Sequence, residues 1–263
     1  MTDFWKKPFL PLITAVGRKI EEKKFTKEPI LVGGCGRSGT TLLLSILSAH
    51  PEVFACPNEL GIFNKIQKTE DGEIHPERID RLYRTFISNQ IKPTATRWCE
   101  KSPSNVKHID DIDRYFDGKF KFIHLIRDGR DVVLSVHPTA PDRYWVDPER
   151  WVNDVSIGLH FRSHPNVLTV FYEDLILEYR KTIAKICEFC GLPLTEEILN
   201  WHENADVTKN RAYFSKVKSI HPKSIAKWKR TKDKARIRDF MSHPEAVKLL
   251  ERLNYLESES AEK

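Results

Sequence analysis

No apolar run in this sequence approaches the roughly 20 residues needed to span a bilayer, and no Gly/Ser linker, internal repeat or low-complexity tract divides it. The longest apolar stretch near the start, Phe9 to Val16, is broken by Pro11, ends in Gly17-Arg18-Lys19 and has no small-residue cleavage pattern, which argues against a signal peptide. A packed N-terminal arm over residues 1–28 is expected, and peripheral contact of that arm with a membrane stays open. Cysteine is scarce, odd in number and scattered: Cys35, Cys56, Cys99, Cys187 and Cys190 suit a reducing compartment, the cytoplasm, better than a disulfide framework. Cys187 and Cys190 have redox-motif spacing but sit in an apolar-periodic helical segment, where cysteine behaves as a small core residue. Cys/His clusters with zinc spacing are missing too, so no metal is expected.

What is present is a globular chain of 263 residues, 40% apolar and 30% charged, with a net charge of +6. That length suits one domain with a sizeable core, here residues 29–263. Pro29 to Gly33, Val53 to Ala55, Phe120 to Ile126 and Val167 to Phe171 read as short buried strands. Helical patterns are expected over Thr40–His50, Pro76–Asn89, Asn105–Phe116, Asp128–Val136, Pro148–His164, Asp174–Cys190 and Asp239–Tyr255. Strands alternating with helices predict an α/β fold, a mostly parallel sheet covered on both faces. Ligands of such sheets bind beyond the carboxyl ends of the strands. Gly34–Thr41, Arg127–Ser135 and Tyr172–Asp174 each follow a strand and therefore share one rim.

Gly33-Gly34-Cys35-Gly36-Arg37-Ser38-Gly39-Thr40-Thr41 joins a strand to a helix. Glycines let the backbone turn its N–H groups inward, and the helix start adds the positive end of its dipole, which together make an anion cradle. A nucleoside-triphosphate loop needs Lys after the last glycine. Thr40 stands there instead, and the cation is Arg37, two residues before Gly39. The second motif runs from Phe122 to Ser135: Arg127 ends a strand and offers a fork of donors for a phosphate, and Ser135, about two helical turns on, adds a hydroxyl. Asp128, Arg130 and Asp131 also suit a helix-start ion pair.

These motifs resemble the sulfotransferase superfamily that uses 3′-phosphoadenosine 5′-phosphosulfate (PAPS), and in particular its tyrosylprotein-sulfotransferase-like branch with bacterial relatives. Arg37-Ser-Gly-Thr-Thr-Leu is similar to the 5′-phosphosulfate loop, Arg127 and Ser135 to the 3′-phosphate motif, and Ala49-His50-Pro51-Glu52-Val53 reads similarly in that branch. The resemblance implies a P-loop-like sulfotransferase domain with Gly36, Arg37, Ser38, Gly39, Thr40, Thr41, Arg127, Ser135, Tyr172, Ser224 and Lys227 around the nucleotide. It also implies Arg37 at the bridging oxygen and Lys101 as a second catalytic cation. Glu59 becomes the catalytic base if one residue is inserted here relative to the branch. His50, before Pro51, reads as structural. The implied reaction is in-line sulfuryl transfer to a hydroxyl, with a carbohydrate or lipid-linked acceptor expected because no anchor of the tyrosylprotein kind is visible.

Two other classes stay in view. A nucleotide-dependent kinase could place Asp128 on magnesium, although the Walker lysine is missing. A nucleic-acid-binding protein could use the basic stretch Lys216 to Arg238, which contains one Trp and no recognisable reading motif, so no nucleic-acid partner is expected.

Overall fold

The computed structural model describes residues 10–137, 140–208 and 222–256. Nine strands appear among them: β1 (Ile30–Gly33), β2 (Val53–Ala55), β3 (Ile66–Lys68), β4 (Ile74–Pro76), β5 (Arg97–Lys101), β6 (Lys121–Ile126), β7 (Val136–His137), β8 (Ala140–Tyr144) and β9 (Val167–Phe171). The main helices are α1 (Leu10–Lys24), α2 (Thr40–Ser48), α3 (Ile79–Ser88), α4 (Ile109–Phe116), α5 (Gly129–Val132), α6 (Pro148–His160), α7 (Tyr172–Leu177) and α8 (Tyr179–Cys190). Five strands form one all-parallel sheet in the order β2-β5-β1-β6-β9, and β3-β4 and β7-β8 are separate antiparallel hairpins. The strand order reverses direction around β1, so the crevice beyond its end is the topological switch point where open α/β sheets take their ligands.

Both faces of the sheet are covered, which is why β1 is apolar and buried throughout. Side chains alternate between faces. Ile30 and Val32 join Leu43, Leu47, Ile183 and Ile186 under α2 and α8, while Leu31 joins Trp98, Phe122, Tyr83 and Ile112 under α1, α3 and α4. Cys187 and Cys190 lie in the first of these layers as buried free thiols. A third cluster, with Ile126, Val133, Trp151 and Phe240, packs α6 against the C-terminal helices. The N-terminal segment docks through α1: Trp98 Nε1 donates to Glu21 Oε1 at 2.9 Å.

Several helices are shorter than expected. The segment after Asp128 is helical only over Gly129–Val132, so Ser135 is not on a helix; its carbonyl accepts the Trp145 N–H at 2.8 Å as the chain turns into the β7-β8 hairpin. Pro76 belongs to β4, and α3 begins at Ile79. The first part of the 105–116 pattern is a 3-10 turn, Pro103–His108. The 174–190 pattern divides at Glu178 into α7 and α8, and α7 starts at Tyr172. The closing helix divides before Pro244 into Lys234–Met241 and Pro244–Arg252, as proline within a helix removes a donor and clashes with the preceding turn. In the basic stretch, residues 216–221 lie outside the described residues, and Lys227–Arg230 is a short helix.

Candidate active site

Because the sheet is parallel, the carboxyl ends of β1, β2, β5, β6 and β9 open on one rim, and the three motifs meet there. The loop after β1 carries Gly34, Arg37 and Gly39 at φ 144°, 71° and 98°. Arg37 thus occupies a left-handed conformation that costs a side chain energy and recurs at ligand clamps. Gly39 is required: a Cβ there would sit 2.5 Å from the Tyr172 ring. It also caps α2 without any side-chain hydrogen bond, leaving the first helical N–H groups turned toward the rim for an anion. Ser38 and Thr40 are buried in the loop and the first helical turn.

The second motif is bound to the first and to the late segment. Arg127 donates through Nη1 to the Arg37 carbonyl at 3.2 Å and through Nη2 to the Ser224 carbonyl at 2.5 Å, and lies 3.5 Å from Asp131. The Tyr172 hydroxyl donates to Ser224 Oγ at 2.9 Å. Asp131 accepts the Trp228 N–H at 3.0 Å, and Arg130 stacks 3.9 Å from the Trp228 ring centre. Burial first, then the positive charges of Arg127 and Arg37, hold Lys227 below its ordinary pKa, with Asp131 opposing. Lys227 therefore feels the charge of both Arg127 and Arg37, an arrangement suited to a ligand with several negative groups. Asp128 is committed elsewhere: it caps α5 through the Arg130 N–H at 2.9 Å and forks onto that guanidinium at 2.8 Å and 3.0 Å.

On the other side of β1, Lys101 ends β5. Its side chain is 0% exposed, so it is no surface lysine. Its Nζ donates to Thr41 Oγ1 at 3.0 Å and pairs with Glu59, whose side chain is 33% exposed. The loop after β2 thus brings a carboxylate, a buried ammonium and the anion cradle together. His50 is structural: its Nδ1 accepts the Glu52 N–H at 3.1 Å and its Nε2 donates to the Pro193 carbonyl at 2.9 Å, with burial lowering its pKa.

Some neighbours of the site had no sequence signal. Arg150 reaches back over the loop, where a Cβ on Gly36 would lie 3.2 Å from its Nη2 and 3.5 Å from Trp145 Nε1. The Asp147-Pro148 helix start marks α6, but nothing local says that its third residue faces the cradle. Glu100 and Ser102 were equally silent. Among the described residues no group of three or more His, Cys, Asp or Glu is placed to hold a metal ion, and no helix is long and apolar enough to cross a membrane.

The same fold occurs in solved sulfotransferases. A sulfotransferase domain from the curacin biosynthetic pathway superposes with a TM-score of 0.61 at 16% identity, covering 89% of this chain and 100% of that one. A mouse sulfotransferase complexed with PAP superposes with a TM-score of 0.52 at 15% identity, over 93% and 95% of the two chains. Among curated sequences, a Caenorhabditis briggsae chain assigned to the protein-tyrosine sulfotransferases is 30% identical over 76% of this chain and 80% of its own length. The protein-tyrosine sulfotransferase of Drosophila melanogaster is 26% identical over 76% of this chain, although the match spans only 46% of the fly protein. Residues 29–196 match the profile of the Sulfotransferase family, more than half of the chain, and together with the parallel fold and the lysine-free cradle this places the chain in the sulfotransferase family.

Proposed function

We propose that the chain transfers the sulfuryl group of PAPS to an acceptor hydroxyl, leaving 3′-phosphoadenosine 5′-phosphate (PAP). The observation that carries this reading is the placement of Arg37, Lys101, Arg127 and Lys227 around one uncapped helix start, with Glu59 at its edge. The cradle suits a 5′-phosphosulfate: α2 begins at Gly39 with no side-chain cap, so its first N–H groups are turned toward an anion. Arg127, supported by Tyr172 and Ser224, suits the 3′-phosphate, with Ser135, at the head of the following hairpin, as the proposed hydroxyl donor.

In the transfer, the bond from sulfur to the bridging phosphate oxygen breaks as the acceptor oxygen bonds to sulfur from the opposite side. Glu59 takes the hydroxyl proton, and Arg37 and Lys101 stabilise the charge that builds on the departing oxygen. Positioning and electrostatics carry most of such a transfer, as in phosphoryl transfer. The proposed setting is the cytoplasm, supported by five buried, unpaired cysteines. The acceptor is a hydroxyl-bearing sugar, lipid-linked sugar, small amphipathic alcohol or tyrosine; the relatives' names point to the last of these.

The test is incubation with radiolabelled PAPS and a panel of those four acceptors. Label on at least one of them is expected. No transfer to any hydroxyl, with magnesium-dependent phosphate transfer from ATP instead, would replace this reading with a kinase.

A further inference from the structure

Three consecutive residues at the end of β5 hold three consecutive residues of the loop after β2. Lys101 pairs with Glu59. Glu100 Oε1 accepts the Leu60 N–H at 2.9 Å, and Ser102 Oγ accepts the Gly61 N–H at 2.9 Å. Ser102 in turn donates to Glu100 Oε1 at 2.6 Å. Asn105 Nδ2 donates to the other carboxyl oxygen at 2.7 Å and bridges to the Val32 carbonyl of β1 at 3.3 Å. From the far side, Arg81 Nη1 donates to the Leu60 carbonyl at 3.0 Å. The peptide units on either side of Leu60 are therefore pinned, immediately after Glu59.

Glu100 is fully buried in the middle of the sheet. Desolvation raises its pKa, and the donations from Ser102, Asn105 and Leu60 oppose that rise. If β5 needed only to pack, an apolar side chain at this position would avoid the cost of burying a carboxyl group. Its carboxylate hydrogen-bonds to the loop that carries Glu59, to Ser102, and to Asn105, which itself reaches the strand before the cradle.

We propose that Glu100, seconded by Ser102, is a positioning residue for sulfuryl transfer: it registers the loop after β2 against β5 and β1 so that Glu59 faces Lys101, which also reaches Thr41. The inference rests on Glu59 being the base. A displacement of about 1 Å in a reacting group costs up to about 10²-fold in rate, and Leu60 and Gly61 have no helix or sheet of their own to fix them.

The experiment uses the full chain carrying Glu100→Gln or Ser102→Ala, each alone and combined with Glu59→Gln. Turnover is measured with radiolabelled PAPS and a tyrosyl peptide, or the best acceptor from the panel above. PAP affinity is measured by calorimetry and folding by thermal melting. Glu100→Gln keeps the shape but sets an amide where Asn105 donates; Ser102→Ala removes one hydroxyl and keeps the fold within reach. The expected result is a kcat loss of about 10- to 10²-fold for Glu100→Gln, a smaller loss for Ser102→Ala, unchanged PAP affinity, and no further loss when either is added to Glu59→Gln. Equal losses with and without Glu59, or wild-type kcat in both single variants, would overturn the inference while leaving the base in place. Wild-type turnover by Glu59→Gln itself would overturn the base assignment, and this inference with it.

Discussion

The guanidinium of Arg127 lies over the ring of Tyr172, 4.4 Å from its centre, and both side chains reach the same third residue, Ser224. Strand end, following strand end and late segment are thus locked around one cation. Arg127→Ala removes a charged fork from this junction, and hydrogen bonds to charged groups contribute about 1.5–3 kcal/mol each. PAP affinity should fall by about 10- to 10²-fold, while adenosine 5′-monophosphate, which lacks the 3′-phosphate, should lose little. Calorimetry on both nucleotides decides it; equal losses would remove Arg127 from the 3′-phosphate.

Glu59→Gln keeps the shape of the side chain and removes the base. A positioned general base contributes about 10²–10⁴-fold, so the sulfation rate should drop by that order with PAP affinity and melting temperature unchanged. A wild-type rate would assign Glu59 to structure, as the partner of Lys101.

Gly39→Ala tests the cradle itself. Its backbone is left-handed at φ 98°, and the added methyl would meet Tyr172 at 2.5 Å. The left-handed conformation alone costs a residue with a side chain about 1–2 kcal/mol, and the collision must push Tyr172 off Ser224. Lower melting temperature and loss of PAP binding are expected together. Unchanged PAP binding would show that the loop does not hold the nucleotide.

His124 makes stability depend on pH. It is fully buried in β6, neither ring nitrogen has a hydrogen-bond partner among the described residues, and burial pushes its pKa down to about 3. In the unfolded chain the same ring titrates near about 6.5. Between those values the unfolded state holds a proton that the folded state refuses, so stability is lost as pH falls below about 6.5, by up to about 1.4 kcal/mol per pH unit. His124→Leu should flatten that slope. Urea midpoints measured at neutral pH and near about pH 5 compare the two proteins; parallel slopes would show that His124 is protonated in the fold.

The strands flanking the nucleotide motifs were legible because each is a short apolar run stopped by a turn signal, and Arg37, Arg127 and Tyr172 are adjacent to those stops. β5 resists such reading. Arg97, Glu100 and Lys101 make it look like surface, yet all three are buried, because their partners come from distant parts of the chain. The Cys190 carbonyl, the Leu60 N–H and Glu59 lie 93, 40 and 42 positions away, respectively. Charge in a local window says nothing of a partner so remote. The helix expected to run through Ser135 misled in the opposite way: Val132-Val133-Leu134 continues a helical pattern, but the backbone bond to Trp145 diverts the chain into a hairpin. Asp128, a magnesium candidate on spacing, is occupied by Arg130 within its own turn.

The sheet order also divides labour. Arg127 and Tyr172 directly follow β6 and β9, to one side of β1; Lys101 and Glu59 stand on β5 and after β2, to the other. The β3-β4 hairpin and α3 are inserted in the chain between β2 and β5, on this second flank, with α3 packed against α1. Under the proposed reading, the hairpin within that tract is separable from the loop that holds Glu59. A chimera that takes a relative's β3-β4 hairpin while keeping Glu59 and Arg81 is expected to change acceptor choice with PAP affinity unaltered, and equal acceptor profiles would show that the hairpin does not select.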